Sequence, residues 1–278
     1  MTNTSRRALL ALAAASPAAA LASGASSHGA APPAPQAITG RAAIVSGSSR
    51  GIGAATARRM AQDGFAVTVN YLTNAGLAAE VVRDIEAAGG RAIARRADVA
   101  DPTAVRALFD AHDEAFGGVD VVISNAAIMN VAPFAHFEDA AFDRMIATNI
   151  KGSFNMLREA ARRVRDGGRI VTLASTSIKA KRATHGGYAA TKAAQEIFAG
   201  VLSKELAGRR ISVNAIAPGP TNTSLLDVPP PLREQAARMT PHGRIGRPED
   251  IANAIAALCS SDGEWINGQL VFANGGFL

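Results

Sequence analysis

A single cysteine, Cys259, occurs in the 278 residues, so no intrachain disulfide framework and no thiolate zinc cluster can form. The five histidines show neither His-x-His nor His-Glu-x-x-His spacing, which removes the common metal motifs. Long apolar runs are missing too. The longest, Ala8 to Ala22, is interrupted by Ser16 and Pro17 and falls short of the roughly 20 residues that span a bilayer, so no stable membrane anchor is expected. Acidic residues are absent before Asp63. The net charge of +6 is small for this length and names no anionic partner by itself. Arg95-Arg96, Arg162-Arg163-Val164-Arg165 and Arg209-Arg210 lie in separate segments without interleaved aromatics, so they read as solvated faces and no nucleic-acid partner is expected. What is present is apolar material, 48% of the chain, ample for a core of one large domain or two small ones.

The acid-free start has an order of its own. Ser5-Arg6-Arg7-Ala8-Leu9-Leu10 precedes the apolar stretch, and a run rich in Ala, Pro and Ser follows to Gln36. That is the three-part layout of an export signal. The paired arginines followed by leucines resemble the twin-arginine type, whose pathway exports folded proteins, and Ala20-Leu21-Ala22 is a plausible cleavage site. Residues 1–36 are therefore expected to direct the protein to the periplasm or beyond. The alternative is a disordered extension on a cytoplasmic protein, or a misassigned start.

From Gly40 onward short β-rich runs alternate with helical segments, the pattern of a parallel sheet covered on both faces. Strands are expected at Ala42–Ser46, Ala66–Asn70, Ala92–Ala97, Val119–Ser124, Arg169–Ser175, Ser212–Ala217 and Leu270–Ala273, with amphipathic helices such as Ile52–Gln62 and Leu77–Ala88 between them. Residues 37–278 thus form one α/β domain with a Rossmann-like, doubly wound, seven-stranded parallel sheet. The stretch from Thr221 to Pro248 breaks the rhythm with Pro229-Pro230-Pro231 and a short helical piece at Leu232–Met239, a candidate lid over a substrate site.

The first strand runs into Ser46-Gly47-Ser48-Ser49-Arg50-Gly51-Ile52-Gly53. Glycines at Gly47, Gly51 and Gly53 allow a tight turn and close approach of a pyrophosphate, which the helix opening at Ile52 would hold on its positive end. The same letters spell Gly-x-Ser-x-Gly, a nucleophile elbow with Ser49 as nucleophile, so a serine hydrolase is the rival reading. An elbow normally stands well inside the sheet, and no partner acid and histidine announce themselves. At the end of the second strand, Asn70-Tyr71 occupies the place where NAD sites carry an acid. A carboxylate would repel a 2′-phosphate; Asn70 does not, and Arg50 supplies a positive fork. NADP(H) is the expected cofactor.

One of the two tyrosines, Tyr188, is followed four residues later by Lys192. On a helix the phenol and ammonium share a face, and a nearby cation favours tyrosinate, making a usable general acid/base. Ser175 stands at the C-terminal end of a predicted strand, where open α/β sheets place ligands, and its hydroxyl can bond a carbonyl oxygen.

Together these elements resemble the short-chain dehydrogenase/reductase superfamily across Ile38 to Leu278, 3-oxoacyl-carrier-protein reductase-like members included. The shared motifs run in order: the Gly47/Gly51/Gly53 turn, Asp98-Val99, Ser124-Asn125-Ala126-Ala127, Asn149, Ser175, Tyr188 with Lys192, Asn214 to Pro218-Gly219, and Gly268-Gln269 to Asn274-Gly275-Gly276. The resemblance implies hydride transfer between NADP(H) and a ketone/secondary alcohol pair. It gives Tyr188 the role of acid/base, while Lys192 lowers the tyrosine's pKa and holds the nicotinamide ribose. Ser175 orients the substrate oxygen, and Asn149 holds a water linking Lys192 to solvent. For the cofactor it implies contacts from Ser49, Arg50, Ile52 and Tyr71, adenine contacts from Asp98 and Val99, loop positioning by Asn125, and Pro218, Gly219, Thr221 and Thr223 at the nicotinamide end. It also implies a homo-oligomer, a tetramer or dimer. Three motifs depart from the pattern: Ser46 stands for Thr; Ser124-Asn125-Ala126-Ala127 stands for Asn-Asn-Ala-Gly, where the Ala127 methyl crowds the nicotinamide end; and Asn274 stands for Asp, read as structural. With these residues all present, a catalytically silent dinucleotide sensor is disfavoured, although fold alone does not fix function. The substrate stays open within small carbonyl compounds. Lys179, Lys181 and Arg182, between Ser175 and Tyr188, point to an anionic substrate or carrier, or to nothing more than a solvated loop.

Overall fold

The structure is a computed structural model that describes residues 40–226 and 228–278; the export-signal expectation for residues 1–36 lies outside the described residues. Strands and helices alternate as β1 (Ala42–Val45), α1 (Gly51–Gln62), β2 (Ala66–Tyr71), α2 (Ala75–Ala87), β3 (Ala92–Arg96), α3 (Pro102–Phe116), β4 (Val119–Ser124), α4 (Asp139–Met145), α5 (Ser153–Arg163), β5 (Val164–Leu173), α6 (Ser177–Ala180), α7 (Gly186–Glu205), β6 (Ser212–Pro218), α8 (Pro230–Met239), α9 (Pro248–Cys259) and β7 (Leu270–Ala273). All strand pairs are parallel, in the order β3-β2-β1-β4-β5-β6-β7. The order reverses between β1 and β4, so the crevice beyond their C-terminal ends is the switch point where such sheets take ligands.

Strand alternation distributes the core to two faces. Ala43 and Val45 of β1 join Ala57 and Met60 of α1, Val81 and Ile85 of α2, and Ile251 and Ile255 of α9. Ile44, between them, joins Leu108 and Phe109 of α3, Met156 and Leu157 of α5, and Ala199 of α7 on the other face. Phe109 is the largest fully buried side chain; the scarcity of aromatics leaves the interior to aliphatic residues. The lone tryptophan, Trp265, is 97% exposed.

Observed boundaries differ from the sequence expectation mainly at β5. It starts at Val164, ahead of Arg169, because Val164 pairs with Val119 before the register shifts, and it ends at Leu173, which leaves Ser175 just beyond the strand. Ser46 likewise falls in the turn after β1. The helix at 230–239 lies inside the irregular stretch, with Pro230 at its first position, where a missing N–H is harmless.

Between β2 and α3, His112 is fully buried, with Nδ1 2.7 Å from Thr68 Oγ1 and Nε2 without a hydrogen-bond partner among the described residues. Burial pushes its pKa down to about 4. The unfolded chain binds the proton more readily, so this contribution is complete above the unfolded value and fades as pH falls towards 4. We expect chemical denaturation to show a loss of about 2–3 kcal/mol between pH 7 and pH 4.5 from this group; a His112→Gln variant should lack that part of the slope, and an identical slope would contradict it.

Candidate functional site

The turn after β1 is built by glycine geometry and by an amide reaching across from β4. Gly47 and Gly51 have φ of 60° and 57°, a region costly for residues with a Cβ. Asn125 Nδ2 donates to the carbonyls of Ser46 at 2.9 Å and Gly47 at 3.0 Å, and Ser46 Oγ accepts from the N–H groups of Asn125 and Ala126 at 2.9 and 3.1 Å. Ser46, one of the departures noted in the sequence, thus ties the turn to the segment after β4 through its hydroxyl. A Cβ on Gly53 would stand 2.5 Å from Asn125 Nδ2 and from the Gly47 carbonyl, so only glycine lets helix and turn approach this closely. α1 has neither a side-chain cap nor an acid in its first turn, which leaves its first N–H groups directed at the crevice. Arg50 is exposed, Ser49 and Ile52 are half-buried, and Thr223 lies against Gly51, its Cγ2 3.4 Å from where a Cβ would stand.

Several of the expected cofactor residues also make bonds that hold the frame. Asn70 is 1% exposed: its Oδ1 accepts from the Gly47 N–H at 3.0 Å, and its Nδ2 bonds the Ala97 carbonyl at 3.1 Å. Its amide is therefore engaged by the fold itself, at one end with the glycine turn. What remains at this position is the lack of a carboxylate. Tyr71 packs against the core. Val99 belongs to the core on the other face and its carbonyl accepts from Asn155 Nδ2 at 2.9 Å, while Asp98 Oδ1 accepts from the Ala100 N–H at 2.9 Å. At the end of β6, Gly219 N–H donates to the Ala273 carbonyl, the Pro218 carbonyl accepts from Thr176 N–H, and the Thr221 hydroxyl donates to the Gly219 carbonyl at 2.9 Å. Thr223 is the freer of the two threonines. Asn274 Oδ1 accepts from Gly276 N–H at 3.0 Å, in keeping with a structural role.

The second half of the site is carried by α7. Tyr188 and Lys192 are both buried on its inward face, with the Lys192 Nζ 5.8 Å from the centre of the tyrosine ring. Burial pushes the phenol up to about 12, and the neighbouring Ser175 hydroxyl opposes that rise. Burial also pushes the Lys192 ammonium down to about 8; its hydrogen bond is to the Leu173 carbonyl, at 2.8 Å. Burial is the larger cause of both shifts, and the ammonium sits over the tyrosine ring. Ser175 Oγ also lies 3.1 Å from Ser177 Oγ.

Asn149 occupies a π-helical turn at Ile146–Gly152, between α4 and α5, an irregularity frequent at functional sites. Its side chain is fully used: Oδ1 accepts from Ile128 N–H, and Nδ2 donates to the Ile128 carbonyl and Thr191 Oγ1, at 2.9, 2.9 and 3.0 Å. Its backbone carbonyl accepts from Gln195 Nε2 at 2.6 Å. Gln195, Thr191 and Thr172 were not among the residues expected from the sequence, although a polar stripe at helical spacing after Tyr188 marks two of them.

Among the described residues no hydrogen bond joins the Ser49 hydroxyl to a histidine. The buried histidine, His112, pairs with Thr68, and His185 Nδ1 lies 3.1 Å from the Ala183 carbonyl. Among the described residues no cluster of three His, Cys, Asp or Glu could hold a metal, and no helix is long and apolar enough to cross a membrane.

A family profile described as enoyl-(acyl carrier protein) reductase matches residues 47–278. The NADPH-dependent aldehyde reductase 2 of Arabidopsis thaliana is 39% identical over 261 residues, covering 88% of this chain and 96% of that protein. Versicolorin reductase of Emericella nidulans is 37% identical over 256 residues, covering 86% and 96%. A crystal structure of a short chain dehydrogenase from Burkholderia cenocepacia in complex with NADP superposes with a TM-score of 0.80 at 36% identity, covering 86% of this chain and 98% of that one.

The packing at Gly53 gives a direct check. A Gly53→Ala variant should lose about 1–3 kcal/mol of stability, as overpacked sites do, measured by urea unfolding; full stability would show that the turn is looser than described.

Proposed function

Because this chain belongs to the short-chain dehydrogenase/reductase family, we propose that it is an NADP(H)-dependent oxidoreductase acting on a ketone or other small carbonyl and the corresponding alcohol. The observation that carries this reading is the grouping of Tyr188, Ser175 and Lys192 at the C-terminal end of the parallel sheet, the end at which the glycine turn follows β1. The turn fits a dinucleotide: its positive-φ glycines, the uncapped α1 and the exposed Arg50 offer backbone donors and a cation to phosphates, and no acid closes β2. When bound, the nicotinamide supplies or accepts the hydride.

The protein's own groups do the rest. The Ser175 hydroxyl bonds the substrate oxygen and fixes its orientation. The Tyr188 hydroxyl, kept protonated through neutral pH by burial, donates its proton to that oxygen as reduction makes it an alkoxide. Lys192, charged below about 8, presents a cation beneath the ring and a donor to a ribose hydroxyl. Thr223, against Gly51, closes the segment after β6 over the turn. Lys179, Lys181 and Arg182 are exposed between Ser175 and α7 and favour a carbonyl substrate bearing a carboxylate or phosphate.

The decisive experiment is NADPH and NADH oxidation across charged and neutral carbonyl compounds. Tyr188→Phe should lower kcat by about 10²–10⁴-fold, and retained activity would refute the assigned acid. Since Lys192 loses its charge as pH rises through about 8, kcat/KM should fall on the alkaline side of that value. Lys179→Ala with Lys181→Ala should narrow the preference for charged substrates; an unchanged ratio would remove the anionic-substrate reading.

Two further parts of the reading concern the protein in its cell. The Ser5-Arg6-Arg7 and apolar segment supports export in the folded state, and exposed Phe154 on α5 with Ile197 and Val201 on α7 supports a homo-oligomer. N-terminal sequencing and sedimentation of the native protein should find a start between Ser23 and Gln36 and a mass above the monomer. A product beginning at Thr2, or a monomer, would overturn the respective part.

A further inference from the structure

The inward stripe of α7 is polar where a helix packed on a sheet is ordinarily apolar. Tyr188, Thr191, Lys192 and Gln195 are all buried on it, at spacings of three and four residues that share a helix face. The first three have evident work at the site or against Asn149. Gln195, 1% exposed, is one turn further on, and it is bonded at both ends. Its Oε1 accepts from Thr172 Oγ1 on β5 at 2.5 Å, and its Nε2 donates to the Asn149 carbonyl at 2.6 Å. Because a carbonyl can only accept, the amide is held in one orientation.

We propose that Gln195 is a positioning residue of the reaction, a strut that fixes the π-helical turn carrying Asn149 and the strand leading to Ser175 against the helix carrying Tyr188 and Lys192. It rests on the reading of Tyr188 and Lys192 as the reacting pair. Thr172 immediately precedes Leu173, whose carbonyl takes the Lys192 ammonium, and Ser175 follows two residues later. On the other side, Asn149 bonds Thr191, the neighbour of Lys192. One amide therefore spans both surfaces between which the lysine is seated. A leucine would fill the same volume and would leave the Thr172 hydroxyl and the Asn149 carbonyl with a bond fewer each, so the choice of glutamine is a choice of geometry. The ionisable groups here are Tyr188 and Lys192, and burial and the Ser175 hydroxyl are what shift them.

The test compares the full chain with Gln195→Leu, Gln195→Glu and Thr172→Val, reading kcat and KM for NADPH-dependent carbonyl reduction, the pH profile, NADPH affinity by nucleotide fluorescence, and Tm. Gln195→Leu should lower kcat by about tenfold or more, as the loss of one or two buried hydrogen bonds allows, with NADPH affinity within about twofold and the alkaline limb of kcat/KM displaced. Gln195→Glu can donate to the Asn149 carbonyl only while protonated, so its activity should recover as the pH is lowered. Thr172→Val should reproduce part of the loss, and it reads the same strut should Gln195→Leu fail to fold. A Gln195→Leu enzyme with kcat within twofold of the parent, or with a lower Tm and an unshifted pH profile, would reduce Gln195 to a packing residue. If Tyr188→Phe remains active, the underlying assignment of the site fails; if it is inactive while Gln195→Leu is unaffected, only the strut does.

Discussion

A lysine ammonium buried without a carboxylate is the constraint around which this site is organised. Among the described residues Lys192 has one side-chain hydrogen bond, to the Leu173 carbonyl, and desolvation holds its pKa down. A buried cation so weakly compensated persists only where neighbouring dipoles are fixed. Thr191, Asn149, Gln195 and Thr172 supply that rigidity through a chain of hydrogen bonds. The polar stripe on α7, the irregular turn around Asn149 and the end of β5 are parts of one arrangement. The same low dielectric keeps Tyr188 protonated, and a single physical cause thus readies both partners, in opposite senses.

The other half of the site obeys a steric rule. Asn125 stitches β4 to the turn after β1, and Gly53 leaves no room between helix and turn. Packing of the turn against β4 and α1 thus sets the backbone at the switch-point crevice.

Much of this was legible in the sequence because it depends on periodicity and on residue types with few substitutes. The seven strands follow from apolar runs of the right length, the glycine turn from three glycines that a Cβ would obstruct, and the Tyr188–Lys192 pair from a spacing of four. What the sequence left hidden was direction. Asn70 stands where a cofactor contact is expected, yet its amide turns inward to Gly47 and Ala97, since the end of β2 buries that position. Val99 similarly serves the core. Spacing along a helix places Tyr188 and Lys192 on one face without fixing which atoms meet: the ammonium lies over the ring and bonds the Leu173 carbonyl. Gln195 was missed for a related reason: a polar residue on a helix reads as solvated until the partners at its two ends are known.

The composition has a last consequence, for how the molecule can be watched. Its one tryptophan, Trp265, stands almost wholly in water, far from the aliphatic interior that carries the stability. Indole emission is already that of a solvated ring in the native state. Unfolding of a single chain would change the indole's surroundings little while the amide signal collapses, so indole emission reports on what covers that part of the surface, a second copy of the chain included.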